Sequence, residues 1–348
     1  MPAIRAAALQ RRAAGGAVIV HEAQFYEKSA GNAALCRLCP HFCRIPDGGV
    51  GKCRIRKNMD GTLYATTYEQ VTSIAMDPIE KKPLYHFYPG HSILSIGTIG
   101  CNFSCQFCQN WEISQSDMPT RQLRVADLVK IAKEKNSLGV AYTYNEPSIW
   151  FEYVCDCARA VKDEGMQNVL VTNGFFNPEP LEMLLPYIDA MNIDIKSIKD
   201  DFYRKICGGR LKPVLDTAVK SRQNVHVEIT NLIIPGFNDT DEELEELASW
   251  IAANLGPETP VHLSAYFPCF QFDTPPTSLD ALQKAHEIFT QKLWFVYLGN
   301  VRSDLGNDTL CRKCGEMLVR RQGYFVEVLG VDREGMCNHC QGRSYVVC

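Results

Sequence analysis

The sequence predicts an α/β protein: a partial (β/α)6, TIM-like barrel at about residues 88–300, with small cysteine-rich metal modules at both ends. Three observations carry that reading. Short apolar runs recur, mostly about 30 residues apart, and alternate with helix-forming stretches. The 348-residue chain is long enough for one large barrel domain and satellites. Its sixteen cysteines gather largely into three groups, two of which flank the repeating segment.

The strand-like runs are "SILSIG" (92–97), "GVAYTY" (139–144), "NVLVT" (168–172), "AMNIDI" (190–195), "VHVEIT" (225–230) and "VHLSAY" (261–266). Between them lie "ADLVKIAKEK", "PSIWFEYVCDCARAVKDEG" and "DEELEELASWIAANL", whose apolar residues repeat near every 3.6 positions. The last of these opens after "NDT", an N-cap signal. Strands alternating with helices predict a parallel sheet with crossover helices, and such sheets place chemistry at the strand C-termini. The remaining boundaries are a flexible tail at 1–30, a cysteine-rich module and linker at 31–87, and a zinc-ribbon-like module at 301–348. The three arginines and absence of acids before Glu22 make the tail faintly similar to a transit peptide as well.

Composition excludes several classes. Hydrophobic residues make up 46% and charged residues 22%, as in ordinary globular proteins, and no apolar run is long enough to span a bilayer. A net charge of −4 gives no support for a nucleic-acid or membrane surface. Cysteines at this density without a convincing signal peptide point to metal binding rather than disulfides.

The cysteines sort by spacing. Cys311, Cys314, Cys337 and Cys340 form two close pairs about twenty residues apart, the pattern of a zinc ribbon in which two knuckles supply four thiolates to one tetrahedral ion. Cys36, Cys39, Cys43 and Cys53 also predict a metal site, and zinc and a second iron–sulfur cluster are both open there. His41 is an alternative ligand in that group. Cys155, Cys157, Cys207, Cys269 and Cys348 show no metal spacing, and most are expected as buried apolar residues.

Cys101, Cys105 and Cys108 stand alone as a triad after the strand "SILSIG". Three thiolates on a four-iron cluster leave one iron without a protein ligand, the open position of a catalytic metal site. A closed ferredoxin-type or zinc site would need a distant fourth cysteine. Polar residues gather at successive strand ends: Asn145 and Glu146, then Thr172, Asn173 and Gly174, then Asn192, Asp194 and Lys196. The last three alternate along their strand and share one face, opposite Met191, Ile193 and Ile195.

The C-x3-C-x2-C spacing, with Phe107 before the last cysteine, resembles the radical S-adenosylmethionine (SAM) superfamily. The phrases "CRLCPHFC", "PIEKKPLYHFYPG", "GCNFSCQFCQNW" and "YTYNEPSIW" resemble its AmmeMemoRadiSam subgroup, related to pyruvate formate-lyase activating enzyme, over about residues 30–345. The resemblance implies a [4Fe–4S] cluster on Cys101, Cys105 and Cys108, and SAM as cofactor. Phe107, Asn145, Glu146, Thr172, Asn173, Asp194 and Lys196 become candidate SAM-site residues. Tyr144 and Asn145 stand where relatives carry two glycines before the glutamate, and Phe267 stands where activases carry a histidine.

The implied activity is reductive SAM cleavage to a 5′-deoxyadenosyl radical for hydrogen abstraction, with glycyl-radical activation or modification of a partner protein as its outlet. Radical modification of a small molecule or cofactor precursor is the alternative enzyme. A non-catalytic iron–sulfur electron carrier or metal-binding interaction module is the alternative class. The expected partners are a flavodoxin- or ferredoxin-like electron donor and a protein substrate or Memo-like protein, with no membrane or nucleic acid. The expected location is cytoplasmic. Lys81, Lys82 and His86 are expected to face the substrate opening or to form a solvated linker.

Overall fold

The computed structural model describes residues 21–303 and 305–348. Its centre is one eight-stranded sheet: β1 (Ser73–Pro78), β2 (Ser92–Gly97), β3 (Gly139–Tyr142), β4 (Gln167–Thr172), β5 (Ala190–Asp194), β6 (His226–Ile233), β7 (Val261–Ala265) and β8 (Val296–Gly299). Spatial order follows chain order from β1 to β8. β1 pairs antiparallel with β2, and the other seven strands run parallel. Among the described residues β8 and β1 do not pair with each other, so the barrel is open.

Helices α1 (Val125–Glu134), α2 (Phe151–Asp163), α3 (Pro178–Leu184), α4 (Leu211–Arg222), α5 (Asp241–Asn254) and α6 (Leu279–Thr290) make the six crossovers from β2 to β8. Every residue of β3 and β7 is buried, because a parallel strand is covered on both faces. Helix starts follow local chemistry. The hydroxyl of Thr240 accepts from the Glu243 amide (3.3 Å) and that of Ser278 from the Ala281 amide (3.1 Å). Asp241, Glu242 and Glu243 in the first turn of α5 add charge complementary to the helix dipole.

Two strands escape the sequence reading, which counts six. β8 is a four-residue apolar run with no alternation to mark it. β1 lies in the expected linker as a half-exposed edge strand, ending at a proline that an edge tolerates. Residues 21–30, expected within a flexible tail, carry strand at His21–Glu22 and Tyr26–Ser29. Residues 1–20 lie outside the described residues.

The N-terminal module consists of two small antiparallel sheets. A buried ion pair fastens it to α2: Arg56 Nη2 lies 2.8 Å from Glu152 Oε2, both side chains 1% exposed. Gln24 and Ile149 supply the backbone carbonyls that complete the guanidinium. A buried pair of this kind is tolerated because its remaining donors are hydrogen-bonded.

The C-terminal module, a three-stranded sheet of Thr309–Leu310, Met317–Gln322 and Phe325–Val328, packs against the barrel near the start of β8, where the Tyr297 and Thr309 hydroxyls bond (2.8 Å). Arg321 donates to the Tyr85 carbonyl (2.5 Å) and lies over the Tyr85 ring. Glu228, near the start of β6, accepts from the amides of Tyr85 (2.9 Å) and His86 (2.7 Å) and bonds His226 (2.9 Å) and His262 (2.6 Å). His86 does not face an opening: it is fully buried, with its ring nitrogens on Tyr297 Oη (2.6 Å) and the Tyr345 carbonyl (3.0 Å).

Burial pushes the His86 pKa down to about 3, while the nearby Glu228 charge opposes that fall. The folded state therefore refuses a proton that the unfolded chain takes up below about pH 6.5. Stability from this residue is complete above pH 6.5 and falls as pH drops toward about 3. Urea unfolding is expected to lose roughly 1 kcal/mol from this group between pH 6.5 and 5.5, and His86→Asn is expected to remove that part of the slope.

Candidate active site

β2 delivers the chain to the triad through a turn that only small residues permit. A Cβ on Gly97 would stand 2.7 Å from the Thr143 carbonyl oxygen. One on Gly100, itself at φ +86°, would stand 2.5 Å from that of Cys53. Asn145, past the end of β3, braces the same turn: Oδ1 accepts from the Thr98 amide (3.1 Å), and Nδ2 donates to the carbonyls of Ile99 (3.2 Å) and Gly100 (3.0 Å). Tyr144 adopts φ +70°, so it keeps a backbone conformation usually left to glycine.

Cys101, Cys105, Cys108, Phe107, Asn145, Glu146, Thr172, Asn173, Asp194 and Lys196 all line one cavity of about 460 Å³ at the C-terminal ends of the strands. Lys81 and Lys82 line it too, as the substrate-opening alternative expects and a solvated linker does not, with Lys82 buried against Asp77 (2.7 Å). A larger groove of about 1000 Å³, outside the sheet between Phe42 and helices α3 and α4, contains none of the thiols.

Glu146 is 2% exposed, and its carboxylate accepts from the Ser148 amide (2.9 Å), the Thr172 hydroxyl (2.7 Å) and the Asn173 amide (2.8 Å). Most of its lone pairs thus serve the scaffold. Burial pushes its pKa up, and these donors pull it back. Asn173 reaches onward to Asn102 Oδ1 (2.8 Å) and the Cys101 sulfur (3.8 Å).

The Lys196 ammonium pairs with Asp194 (2.9 Å) and lies 5.8 Å from the centre of the Phe107 ring. Met191, Ile193 and Ile195 fill the opposite face of β5 and its extension.

Cys207 is the residue that sequence spacing misses. It is fully buried after β5, and its thiol acts on Cys105, lowering the Cys105 pKa with help from the Lys196 charge and against burial. Its carbonyl accepts from the Ser104 amide (2.8 Å). No local pattern marks it, because a hundred residues separate it from the triad. Cys155 and Cys157 are buried as expected, whereas Cys269 is half-buried and bonds the Cys108 carbonyl (3.5 Å), and Cys348 is exposed.

The C-terminal quartet closes on itself. Cys311 and Cys340 sulfurs are 3.6 Å apart, those of Cys314 and Cys337 are 3.7 Å apart, and all four lie within 4.8 Å of one another. A tetrahedral ion with bonds of about 2.3 Å needs sulfurs ~3.8 Å apart. In the N-terminal group Cys36, Cys39 and Cys53 are buried and Cys43 is half-buried, while His41 Nε2 is engaged by the Asn102 carbonyl (2.7 Å).

An open parallel barrel with an isolated cysteine triad at its C-terminal mouth defines a radical SAM fold, and the Radical SAM superfamily profile matches residues 95–251. The chain belongs to the radical SAM superfamily. It is 41% identical over 335 residues to an uncharacterized protein of Methanocaldococcus jannaschii, covering 94% of this chain and all of that one. It is 27% identical over 181 residues to pyruvate formate-lyase 1-activating enzyme of Escherichia coli, covering 46% of this chain and 73% of that enzyme. A crystal structure of a radical SAM methyltransferase from Sphaerobacter thermophilus shares the fold, with a TM-score of 0.50 and 17% identity over 66% of this chain and 71% of that one.

Replacing Glu146 with alanine would leave three buried donors without an acceptor. The expected cost is on the order of 3 kcal/mol in urea unfolding of the metal-free protein, and a loss below 1 kcal/mol would show that the carboxylate is not the brace.

Proposed function

We propose that this protein is an enzyme that binds a [4Fe–4S] cluster on Cys101, Cys105 and Cys108 and SAM beside it. The observation that carries the reading is the convergence of three thiols, Asn173 and the Asp194–Lys196 pair on one cavity at the strand C-termini. The donor set fits the group: soft thiolates suit iron–sulfur clusters, and three of them leave one iron free. When bound, the cluster supplies an electron for cleavage of SAM to methionine and a 5′-deoxyadenosyl radical.

The chain's own residues take distinct parts. The Lys196 ammonium offers a charge partner to the SAM carboxylate, and Asp194 holds it in place. Asn173 orients the Cys101 loop, while Glu146, Thr172 and Asn145 fix the backbone beneath it. Phe107 provides an apolar wall beside Lys196.

Similarity to the activating enzyme supports hydrogen abstraction from a glycine Cα of a partner protein. The reaction calls for a flavodoxin- or ferredoxin-like one-electron donor, and the AmmeMemoRadiSam resemblance makes a Memo-like protein a candidate partner. An oxygen-sensitive cluster places this work in a reducing compartment such as the cytoplasm, and no helix among the described residues is long and apolar enough to cross a membrane.

Anaerobic reconstitution with iron and sulfide, followed by dithionite and SAM, is expected to yield 5′-deoxyadenosine, and Cys105→Ala to reduce it to background. A loaded, reduced cluster whose electron paramagnetic resonance spectrum ignores SAM would overturn the reading in favour of an electron carrier.

The C-terminal quartet is assigned to zinc on its sulfur spacing. Cys314→Ser is expected to lose one zinc per chain by elemental analysis. It should also destabilise the protein by several kcal/mol, because the module held by that ion supplies Arg321 and Tyr345 to the base of the barrel.

A further inference from the structure

The segment between β1 and β2 crosses the inside of the barrel. β1 is the edge of the sheet, yet the residues that follow it are held by strands far along it. Asn192 of β5 donates to the Pro83 carbonyl (2.7 Å), and Glu228 of β6 accepts from the Tyr85 and His86 amides. The Tyr85 ring lies 4.7 Å from those of His262 on β7 and Tyr297 on β8. Asn192 and Asp194 share the inner face of β5, two residues and so about 7 Å apart. Lys82, next to Pro83, therefore enters the cavity one such step beneath the Asp194–Lys196 pair, at its floor.

The floor carries more cation than anion. Asp77 is the one carboxylate within 4 Å of either lysine among the described residues, at 2.7 Å from the Lys82 ammonium and 3.1 Å from that of Lys81. Two ammoniums thus face a single negative charge, and the Tyr144 hydroxyl (2.5 Å) takes part of that carboxylate as well. The Lys82 side chain is 2% exposed and cannot turn to bulk water, whereas that of Lys81 is 51% exposed at the rim. An ammonium has three donors. Lys82 spends one on Asp77, and among the described residues the others meet no acceptor.

The other acids of the cavity do not cancel the surplus. Asp194 is paired with Lys196, and Glu146 is occupied by its own three donors. A buried charge needs partners for all its polar hydrogens, so the missing acceptors are those of a ligand.

We infer that Lys82 and Lys81 form an oxyanion subsite, so that the group of the substrate entering this cavity carries a carboxylate or a phosphate. A carboxylate can come from a free acid or from an acidic side chain of a partner protein, and the site recognises the chemistry they share. The assignment of this ligand as substrate rests on the radical SAM reading of the mouth, but the subsite is measured without turnover.

The test is equilibrium dialysis of the reconstituted holoenzyme, with SAM bound and the cluster left oxidised, against labelled succinate, inorganic phosphate and an end-blocked Gly-Asp-Gly peptide, with neutral succinamide as control. At least one anion is expected to be retained above succinamide, and the best retained identifies the source. Lys82→Met is expected to weaken that retention by roughly ten- to a hundredfold, the loss of one charge-assisted hydrogen bond. Lys81→Ala is expected to weaken it less, and Asp77→Asn to strengthen it, because the competing carboxylate is gone. A merely structural cluster would lose retention in all three.

The proposal is overturned if no anion is retained above succinamide, if Lys81→Ala and Asp77→Asn shift retention in the same direction, or if SAM displaces the anion, which would give the lysines to SAM's own carboxylate. Retention unchanged in Lys82→Met with a shifted cluster potential would overturn it too, since the ammoniums would then serve the cluster. Should Lys82→Met not fold, the opposite signs expected of the other two variants decide. Failure of the radical SAM reading shows separately, as a cluster spectrum indifferent to SAM with lysine-dependent retention intact.

Discussion

The candidate site depends on the desolvation of one carboxylate. Glu146 is buried at the end of β3, where an ionised group without partners would cost several kcal/mol. Its compensation comes from Ser148 on its own loop and from Thr172 and Asn173 at the end of β4. The carboxylate therefore holds two neighbouring strand ends at a fixed separation. Asn173 passes that constraint to Asn102 and the Cys101 sulfur, so the triad's first thiol is placed by hydrogen bonds rather than by loop packing alone.

The opposite end of the barrel uses the same physics to close instead of to open. Glu228 is equally buried, and burial raises its pKa, yet the hydrogen bonds of His226 and His262 hold it well below the usual range. Glu146 has only neutral donors around it and is pushed upward. A carboxylate beside imidazoles stays charged and anchors the linker and C-terminal module through Tyr85 and His86. One surrounded by neutral donors is the more proton-sensitive of the two, and it lies on the functional side.

The sequence made the chemistry more legible than the architecture's edges. The triad, the strand-end polar residues and the C-terminal cysteine quartet follow from spacing, because metal ligands and barrel mouths impose local patterns that survive in one dimension. β8 and β1 were hidden for physical reasons: a short strand buried on both faces shows no alternation, and an antiparallel edge strand looks like linker. His86 looked like a mouth residue because its burial is created by Tyr297 and Tyr345, more than two hundred residues away. Cys207 has the same history. Its place beside Cys105 depends on how the loop after β5 returns, which no spacing encodes.

The replacement of two glycines before Glu146 looks at first like a lost backbone contact, and the structure gives it a different meaning. Tyr144 keeps the left-handed conformation at a cost of about 1–2 kcal/mol relative to glycine. Its hydroxyl then reaches Asp77 (2.5 Å), and its ring lies beneath the Lys82 ammonium (4.8 Å). Asn145 contributes three hydrogen bonds to the turn that leads into Cys101. Both side chains thus brace what glycine leaves to the backbone alone. The bracing joins β1, the Lys81–Lys82 segment and the cluster loop into one wall of the cavity. The N-terminal module supports that loop from behind, at Gly100 and Asn102. A chain built this way gives up conformational freedom in the loop and gains a cavity wall whose cations are fixed before any ligand arrives.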